Sequence, residues 1–325
     1  MRVGTAAKVA SGWSQLGYDA LLLLHCCTTE APMPNMSLLP GESRRNVLKL
    51  LPGLLVGVWA GAAAAQAPDL QMPLFDAHLH YSHDAWERLP PKEAVGLLRQ
   101  AGLKRAMVSS SSDEGTQKLY AEAPELVLPV LRPYRSRSEI GSWMHDSSIV
   151  THLESRLARY RYVAIGEYHI YGADADLPVM RRVVQLAREH KLFLHSHSDA
   201  DAIERQFRQD PDARILWAHA GFETPDRVRE MLRRHPQLWC DLAFRSDHAT
   251  AGKVEAGWRA AFLEFPDRFM LGTDTYTPER WYYVVEHARW SRQWLADLPR
   301  DVAERIGWKN GEALFTPLLA RPAAK

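Results

Sequence analysis

Short apolar runs alternate with amphipathic, helix-type patterns along the chain from residue 72 onward. The apolar runs predict buried strands that end at Tyr81 and then cover residues 106–110, 126–131, 162–166, 192–194, 215–218, 238–242 and 269–272. Helices are predicted at residues 92–101, capped by Gly102, and most clearly at 152–160, 178–190, 225–235 and 278–294. Strands that alternate with helices indicate a parallel sheet, and eight repeats predict a (β/α)8 TIM barrel.

Polar side chains stand at the carboxyl ends of several predicted strands. His78 and His80 end the first strand and share one face at a period of two. From His78 to Asp274 the chain runs 196 residues, which is seven steps of 28, close to the ~30 residues of a βαβ unit. Barrel active sites lie at this face, so the strand ends predict one shared site. The later candidates are Glu167 after the fourth strand, His195 after the fifth, His219 after the sixth and Asp274 after the eighth.

Residues 36–65 predict a twin-arginine signal peptide. Arg44 and Arg45 are followed by Lys49 and by an apolar run from residue 50 to residue 65. The run of about 16 residues is short for a membrane span of roughly 20, so no stable membrane anchor is expected. Cleavage after Ala65 would leave residues 66–325 as one domain of the size of a β/α barrel in the periplasm, with the twin-arginine export machinery as a partner. An uncleaved anchor is the alternative.

Residues 1–35 do not fit the charged start of an export signal. An apolar patch at residues 20–24 and the acidic Glu30 precede the paired arginines. A start at Met36 instead gives the signal a short n-region of the usual kind. We therefore expect translation to begin at Met36 rather than Met1, with residues 1–35 as an upstream extension. N-terminal sequencing of the native product distinguishes the two starts.

Composition narrows the function classes. The chain of 325 residues is 46% hydrophobic and 24% charged, which is typical of a globular protein. A net charge of +1 gives no reason to expect nucleic acid as a partner. After signal removal Cys240 is the one cysteine left, so no internal disulfide is expected, and its place in a strand pattern favours a role in the core.

The strand-end motifs resemble the amidohydrolase superfamily, in particular its amidohydrolase-related and TatD-like branches. The resemblance runs from about residue 73 to residue 315. It depends on FDAHLH at 75–80, AIGE at 164–167, LHSHSDA at 194–200, AHAG at 218–221, RFMLGTD at 268–274 and ERIGWKNGEALF at 304–315.

The resemblance implies a divalent metal centre. His78, His80 and Asp274 would bind a first ion, and His195 and His219 would bind or face a second. Glu167 stands where some branches place a bridging carboxylate. Imidazoles and carboxylates suit zinc or another borderline first-row metal, with one or two ions as open alternatives.

The implied reaction is hydrolysis of a small-molecule amide, ester or lactone. A metal ion makes hydroxide available at neutral pH by lowering the pKa of bound water to about 7. Asp274 would take the proton from the nucleophile and pass it to the leaving group. The residues expected to contact substrate are His169 and His197, two positions beyond Glu167 and His195, together with Arg132 and Arg245, whose guanidinium groups could clamp a carboxylate.

Three other functions remain open from the sequence. A single-metal decarboxylase of the amidohydrolase-related branch would use the same ligands. A TatD-like nuclease is disfavoured by the near-neutral charge and by His197, where those proteins tend to carry arginine. A non-catalytic binding barrel is disfavoured by the complete ligand set. Substrate and oligomeric state are not predicted.

Overall fold

The computed structural model describes residues 72–319, so the predicted signal peptide and upstream extension lie outside the described residues. Ten strands follow one another as β1 Leu74–His80, β2 Leu103–Ser109, β3 Val127–Leu131, β4 Ala164–His169, β5 Phe193–His197, β6 Ile215–Trp217, β7 Leu238–Asp241, β8 Ala249–Thr250, β9 Lys253–Val254 and β10 Phe269–Met270. The helices are α1 His83–Trp86, α2 Pro91–Gln100, α3 Glu114–Glu122, α4 Ser148–Arg159, α5 Pro178–His190, α6 Ala200–Gln209, α7 Pro225–Arg234, α8 Ala256–Glu264, α9 Pro278–Trp281, α10 Val284–Leu295, α11 Arg300–Glu304 and α12 Asn310–Leu319.

Eight of the strands form a nearly closed parallel barrel. Their order is β1 to β7 and then β10, while β8 and β9 pair in a separate antiparallel hairpin. The last strand meets the first through a bridge between Asp76 and Leu271, and the Asp274 amide donates to the His78 carbonyl at 2.8 Å. The predicted parallel β/α architecture is confirmed, and the carboxyl ends of all eight strands share one face.

A register shift in β1 sets which side chains enter the barrel. Phe75 and Ala77 belong to an inner apolar cluster with Phe193 and with Phe315 of α12, whereas Leu79 and Tyr81 pack outward against the helices. Between these halves the pairing with β2 shifts. Such an irregularity changes which face a strand presents, so the two histidines that follow point into the barrel mouth.

Several predicted elements differ from the observed ones. The predicted fourth and fifth strands stop too early, because β4 and β5 continue to His169 and His197, which pair with each other. The predicted helix at residues 278–294 is wrong as one helix, since the chain forms α9 and α10 there. Within residues 72–319, no helix is both long and apolar enough to cross a membrane.

Candidate active site

Two imidazoles at the end of β1 face each other across the barrel mouth. His80 Nδ1 donates to the Ser109 carbonyl at 2.9 Å, and His78 Nδ1 donates to the Asp241 carboxylate at 3.2 Å. In the neutral rings these acceptors place the proton on Nδ1 and leave a lone pair on Nε2. The two Nε2 atoms lie 3.2 Å apart. Because two lone pairs at this distance repel, the pair favours a cation between them.

Asp274 completes a three-residue group with the two histidines. Its Oδ1 lies 3.3 Å from His80 Nε2 and 3.8 Å from His78 Nε2. The residue has φ 51°, a left-handed conformation uncommon outside glycine, and Arg280 donates to its carbonyl. Its side chain is 10% exposed, compared with 0% for His78, so Asp274 lies on the open side.

Glu167 joins this group to a second set of rings. Its Oε2 lies 3.1 Å from His80 Nε2 and accepts from Arg132 at 2.8 Å. Its Oε1 accepts from His197 Nδ1 at 2.7 Å and lies 3.6 Å from His219 Nε2. One carboxylate therefore faces His80 with one oxygen and faces His197 and His219 with the other. The buried Arg132 neutralises part of its charge.

Asp241 was not predicted from the sequence, and it holds both His78 and His195. Its Oδ2 accepts from His78 Nδ1 at 3.2 Å and from His195 Nε2 at 2.9 Å. Its Oδ1 accepts the backbone amides of His219 and Ala243, each at 3.0 Å. The side chain is fully buried. A carboxylate with four such donors fixes the orientation of the rings around it.

We expect Asp241→Asn to weaken divalent metal binding by about 10- to 100-fold, the usual cost of losing a partner that orients a ligand. The asparagine amide has only one oxygen, so it cannot accept from the two rings and from the His219 and Ala243 amides together, and the orientation of the rings is no longer fixed. Competition with a chromophoric chelator measures the affinity. Asp113→Asn is the matched control, since Asp113 is also buried but pairs with Arg156 outside this cluster. Equal affinities in the wild type and Asp241→Asn would contradict this role.

His219 lies at the start of an unusual left-handed turn after β6. Residues His219, Ala220, Gly221 and Phe222 all have φ between 47° and 64°. Because such a turn repeats about every three residues, the His219 and Phe222 rings stack, with centroids 4.7 Å apart. His219 Nδ1 donates to the Ala243 carbonyl at 2.7 Å, which leaves its Nε2 lone pair toward Glu167.

His169 and His197 form the outer part of the site. Their rings stack with centroids 4.1 Å apart. The Tyr134 hydroxyl accepts the His169 amide and donates to His169 Nδ1 at 3.0 Å, so the ring proton of His169 lies on Nε2. Burial lowers the pKa of His169 to about 3, and burial also lowers the pKa of His197, so both rings are neutral at pH 7.

Comparison with models of known protein families assigns the chain to one family. The family model described as Amidohydrolase matches residues 75–316. The chain belongs to the amidohydrolase family. This match covers the eight barrel strands apart from Leu74, and it includes every strand end that carries the site. Members of this enzyme family act on small molecules, and this protein is an amidohydrolase-family hydrolase or a related enzyme.

Solved structures support the barrel fold of this amidohydrolase. An uncharacterised TIM-barrel protein from Bordetella bronchiseptica is 14% identical, with a TM-score of 0.53, and the match covers 77% of this chain and 100% of that one. A structure titled a putative 2-pyrone-4,6-dicarboxylic acid hydrolase from Pseudomonas putida is 15% identical, with a TM-score of 0.53 over 76% of this chain and 98% of the other. No curated protein matches the chain significantly.

The barrel mouth brings together most of the predicted site residues. We call the following residues the central cluster: His78, His80, Arg132, Glu167, His195, His219, Asp241 and Asp274. Among residues 72–319, four groups in or beside it could hold a metal ion. They are His78 with His80 and Asp274, His78 with Glu167 and His219, His78 with His195 and Asp241, and Glu167 with His169 and His197.

Three predicted residues have contacts that differ from their expected roles. Arg132 donates to the carbonyl and the carboxylate of Glu167, at 3.0 and 2.8 Å, and its binding of a substrate carboxylate stays a prediction. His195 turns its Nε2 to Asp241 rather than to Glu167 or His219, and its pKa is lowered to about 4 by burial. Arg245 lies beneath the left-handed turn, where it donates to the His219 carbonyl at 3.0 Å. These contacts favour positioning roles, and direct ligation by His195 or substrate binding by Arg245 stays a prediction.

The charges of the central cluster fit a divalent cation. Glu167, Asp241 and Asp274 are buried with one guanidinium, that of Arg132, so two negative charges stay uncompensated whenever all the imidazoles are neutral, as metal ligands are. Burial alone would raise the pKa of each carboxyl, but the facing histidines hold all three below their usual values. Burial alone would lower the pKa of His78, yet Asp241 and Glu167 hold it well above its usual value. The position of His78 Nε2 therefore favours positive charge.

Proposed function

We propose that this amidohydrolase is a metal-dependent hydrolase that cleaves an amide, ester or lactone bond in a small molecule. One observation carries the proposal: the Nε2 lone pairs of His78 and His80 converge with Asp274 Oδ1 within 3.8 Å. Nitrogen and oxygen donors in this number suit zinc or another borderline first-row ion. A divalent ion bound here would lower the pKa of a water molecule to about 7 and so supply hydroxide.

We infer that a single ion suffices. With neutral imidazoles as ligands, three carboxylates and the Arg132 guanidinium leave two negative charges, which one divalent cation balances. A second divalent ion would reverse the sign of the buried charge and would lie beside the guanidinium. Arg132 also binds the Glu167 oxygen that faces His80, so that oxygen already has a cationic partner.

The protein residues supply the proton transfers. Asp274 is ionised, since facing histidines hold the pKa of its carboxyl well below its usual range although burial alone would raise it. Its carboxylate can accept the proton of the attacking water and return it to the leaving group. His169 carries its proton on Nε2 and is only partly buried, so it can donate to the carbonyl oxygen of a substrate.

A substrate panel tests the proposed reaction. Esters, lactones and amides are incubated with the purified protein before and after treatment with a chelator, and released acid is measured. We expect turnover that the chelator abolishes and that added zinc restores. Release of carbon dioxide from aromatic acids without any hydrolysis would favour the decarboxylase alternative and would contradict this proposal.

We also propose export to the periplasm by the twin-arginine route, which rests on residues 36–65 alone. N-terminal sequencing of the native protein should find Gln66 as the first residue. A native protein that retains residues 36–65 and is not found in the periplasm would contradict export.

A further inference from the structure

Four aromatic side chains border one side of the barrel mouth. We call Tyr171, Phe222, Phe244 and Tyr276 the aromatic arc. Phe222 and Phe244 have centroids 6.5 Å apart, and Phe244 and Tyr276 have centroids 5.7 Å apart. Tyr171 reaches Phe222 through the His197 ring, at 6.1 and 6.0 Å. Each member follows the carboxyl end of a barrel strand, which is the face where barrel enzymes bind substrates.

The aromatic arc is continuous with the central cluster. Phe222 stacks on His219 with an interplanar angle of 18°, and the His197 ring lies 4.6 Å from His219. Both imidazoles also face the Glu167 carboxylate. A planar group that binds against the arc therefore lies beside the central cluster.

Phe222 is exposed at a conformational cost. It is 52% exposed and has φ 53°, a left-handed conformation that is unfavourable for a residue with a side chain. Arg245 holds the turn through the carbonyls of His219 and Glu223, each at 3.0 Å. Tyr171 is also 49% exposed. Strained backbone that presents an exposed aromatic ring beside a catalytic cluster is typical of a ligand contact.

Arginines near the arc are held by acceptors of the chain itself. Arg132 donates to Glu167, and Arg245 donates to backbone carbonyls and to Asp247. Arg280 donates to the carbonyls of Thr273 and Asp274 while its guanidinium lies 4.7 Å from the Phe244 ring. In the described part of the chain, these arginines beside the arc already have acceptors, so this side of the mouth presents mainly ring surface.

We propose that the aromatic arc binds a neutral aromatic ring attached directly to the carbonyl group that enters the central cluster. The carbonyl part of this inference rests on the proposed hydrolase function, whereas binding of the ring does not. Stacked and edge-to-face ring pairs contribute favourably beyond the area they bury. The substrates would thus be neutral esters or amides of aromatic carboxylic acids, or lactones whose carbonyl carbon is bonded to an aromatic ring, rather than aliphatic or dianionic compounds.

Fluorine NMR titration of the full chain tests the ring site without requiring turnover or metal. The probes are 4-fluorobenzamide, a neutral aromatic carbonyl compound, and fluoroacetamide, its small aliphatic counterpart. Each is titrated against the wild type, Phe222→Ala, Phe222→Tyr and Tyr283→Ala. Tyr283 is the matched control, since it is 67% exposed and lies outside the arc. Thermal melting establishes that each variant is folded.

We expect the Kd for 4-fluorobenzamide to rise about 3- to 10-fold in Phe222→Ala and to stay at the wild-type value in Phe222→Tyr and Tyr283→Ala. Fluoroacetamide should not distinguish the wild type from Phe222→Ala. Absence of 4-fluorobenzamide binding to the wild type, or an equal Kd in Phe222→Ala, would overturn the inference. A protein that binds the aromatic probe in this pattern but hydrolyses nothing in the substrate panel would refute the hydrolase proposal and leave the ring site standing.

Discussion

Asp274→Asn is expected to lower kcat by about 10²- to 10⁴-fold, the usual contribution of a positioned general acid or base. The amide keeps an oxygen beside His80 and His78 but cannot accept and return a proton. Metal content should therefore stay close to that of the wild type. Initial rates on the best substrate of the panel, together with metal analysis of the same samples, measure both quantities.

Asp267→Asn is the control for Asp274→Asn. Asp267 precedes β10, whereas Asp274 follows it, and the Asp267 side chain is 60% exposed. Its replacement should leave kcat and metal content unchanged. A wild-type rate in Asp274→Asn would show that another group moves the proton.

Gly221→Ala is expected to lower the free energy of unfolding by about 2–5 kcal/mol, the combined cost of overpacking and of a left-handed alanine. Gly221 has φ 64°, and an added Cβ would lie 2.1 Å from the buried Trp217 ring. Trp217 cannot move aside easily, because its Nε1 donates to the Ser198 carbonyl at 2.7 Å. Urea denaturation followed by circular dichroism gives the change in free energy.

Gly96→Ala separates this clash from the general effect of adding a methyl group. Gly96 lies within α2, and an added Cβ there meets nothing within 4 Å. Alanine is the better helix former by about 0.5–1 kcal/mol, so this variant should be as stable as the wild type or slightly more so. If Gly221→Ala is no less stable than Gly96→Ala, the turn is not constrained as the contacts imply.

The sequence predicts the barrel because its strands and helices carry strong local signals. Helix α5 has the predicted bounds, residues 178–190, since Pro178 starts it and its apolar face is regular. The ends of β4 and β5 were missed because His169 and His197 look like loop residues. In the barrel, His169 and His197 pair with each other across β4 and β5. No local sequence pattern reveals such a long-range contact.

The sequence predicts which types of residue form the candidate site better than it predicts how their side chains are arranged. Asp241 ends β7 as other candidates end their strands, so its position was the one available signal. Its four hydrogen bonds, and the turning of His195 toward it, depend on side chains that are distant in sequence. The left-handed turn of residues 219–222 is equally hidden, since only Gly221 hints at positive φ.

Metal analysis of the purified protein tests the central claim most directly, when stoichiometry and hydrolysis are followed together during chelation and metal return. The account predicts about one equivalent of a divalent first-row ion, with hydrolysis lost as the ion is removed and regained as it is restored. Less than about half an equivalent in protein from metal-replete cells, with hydrolysis unaffected by the chelator, would contradict it.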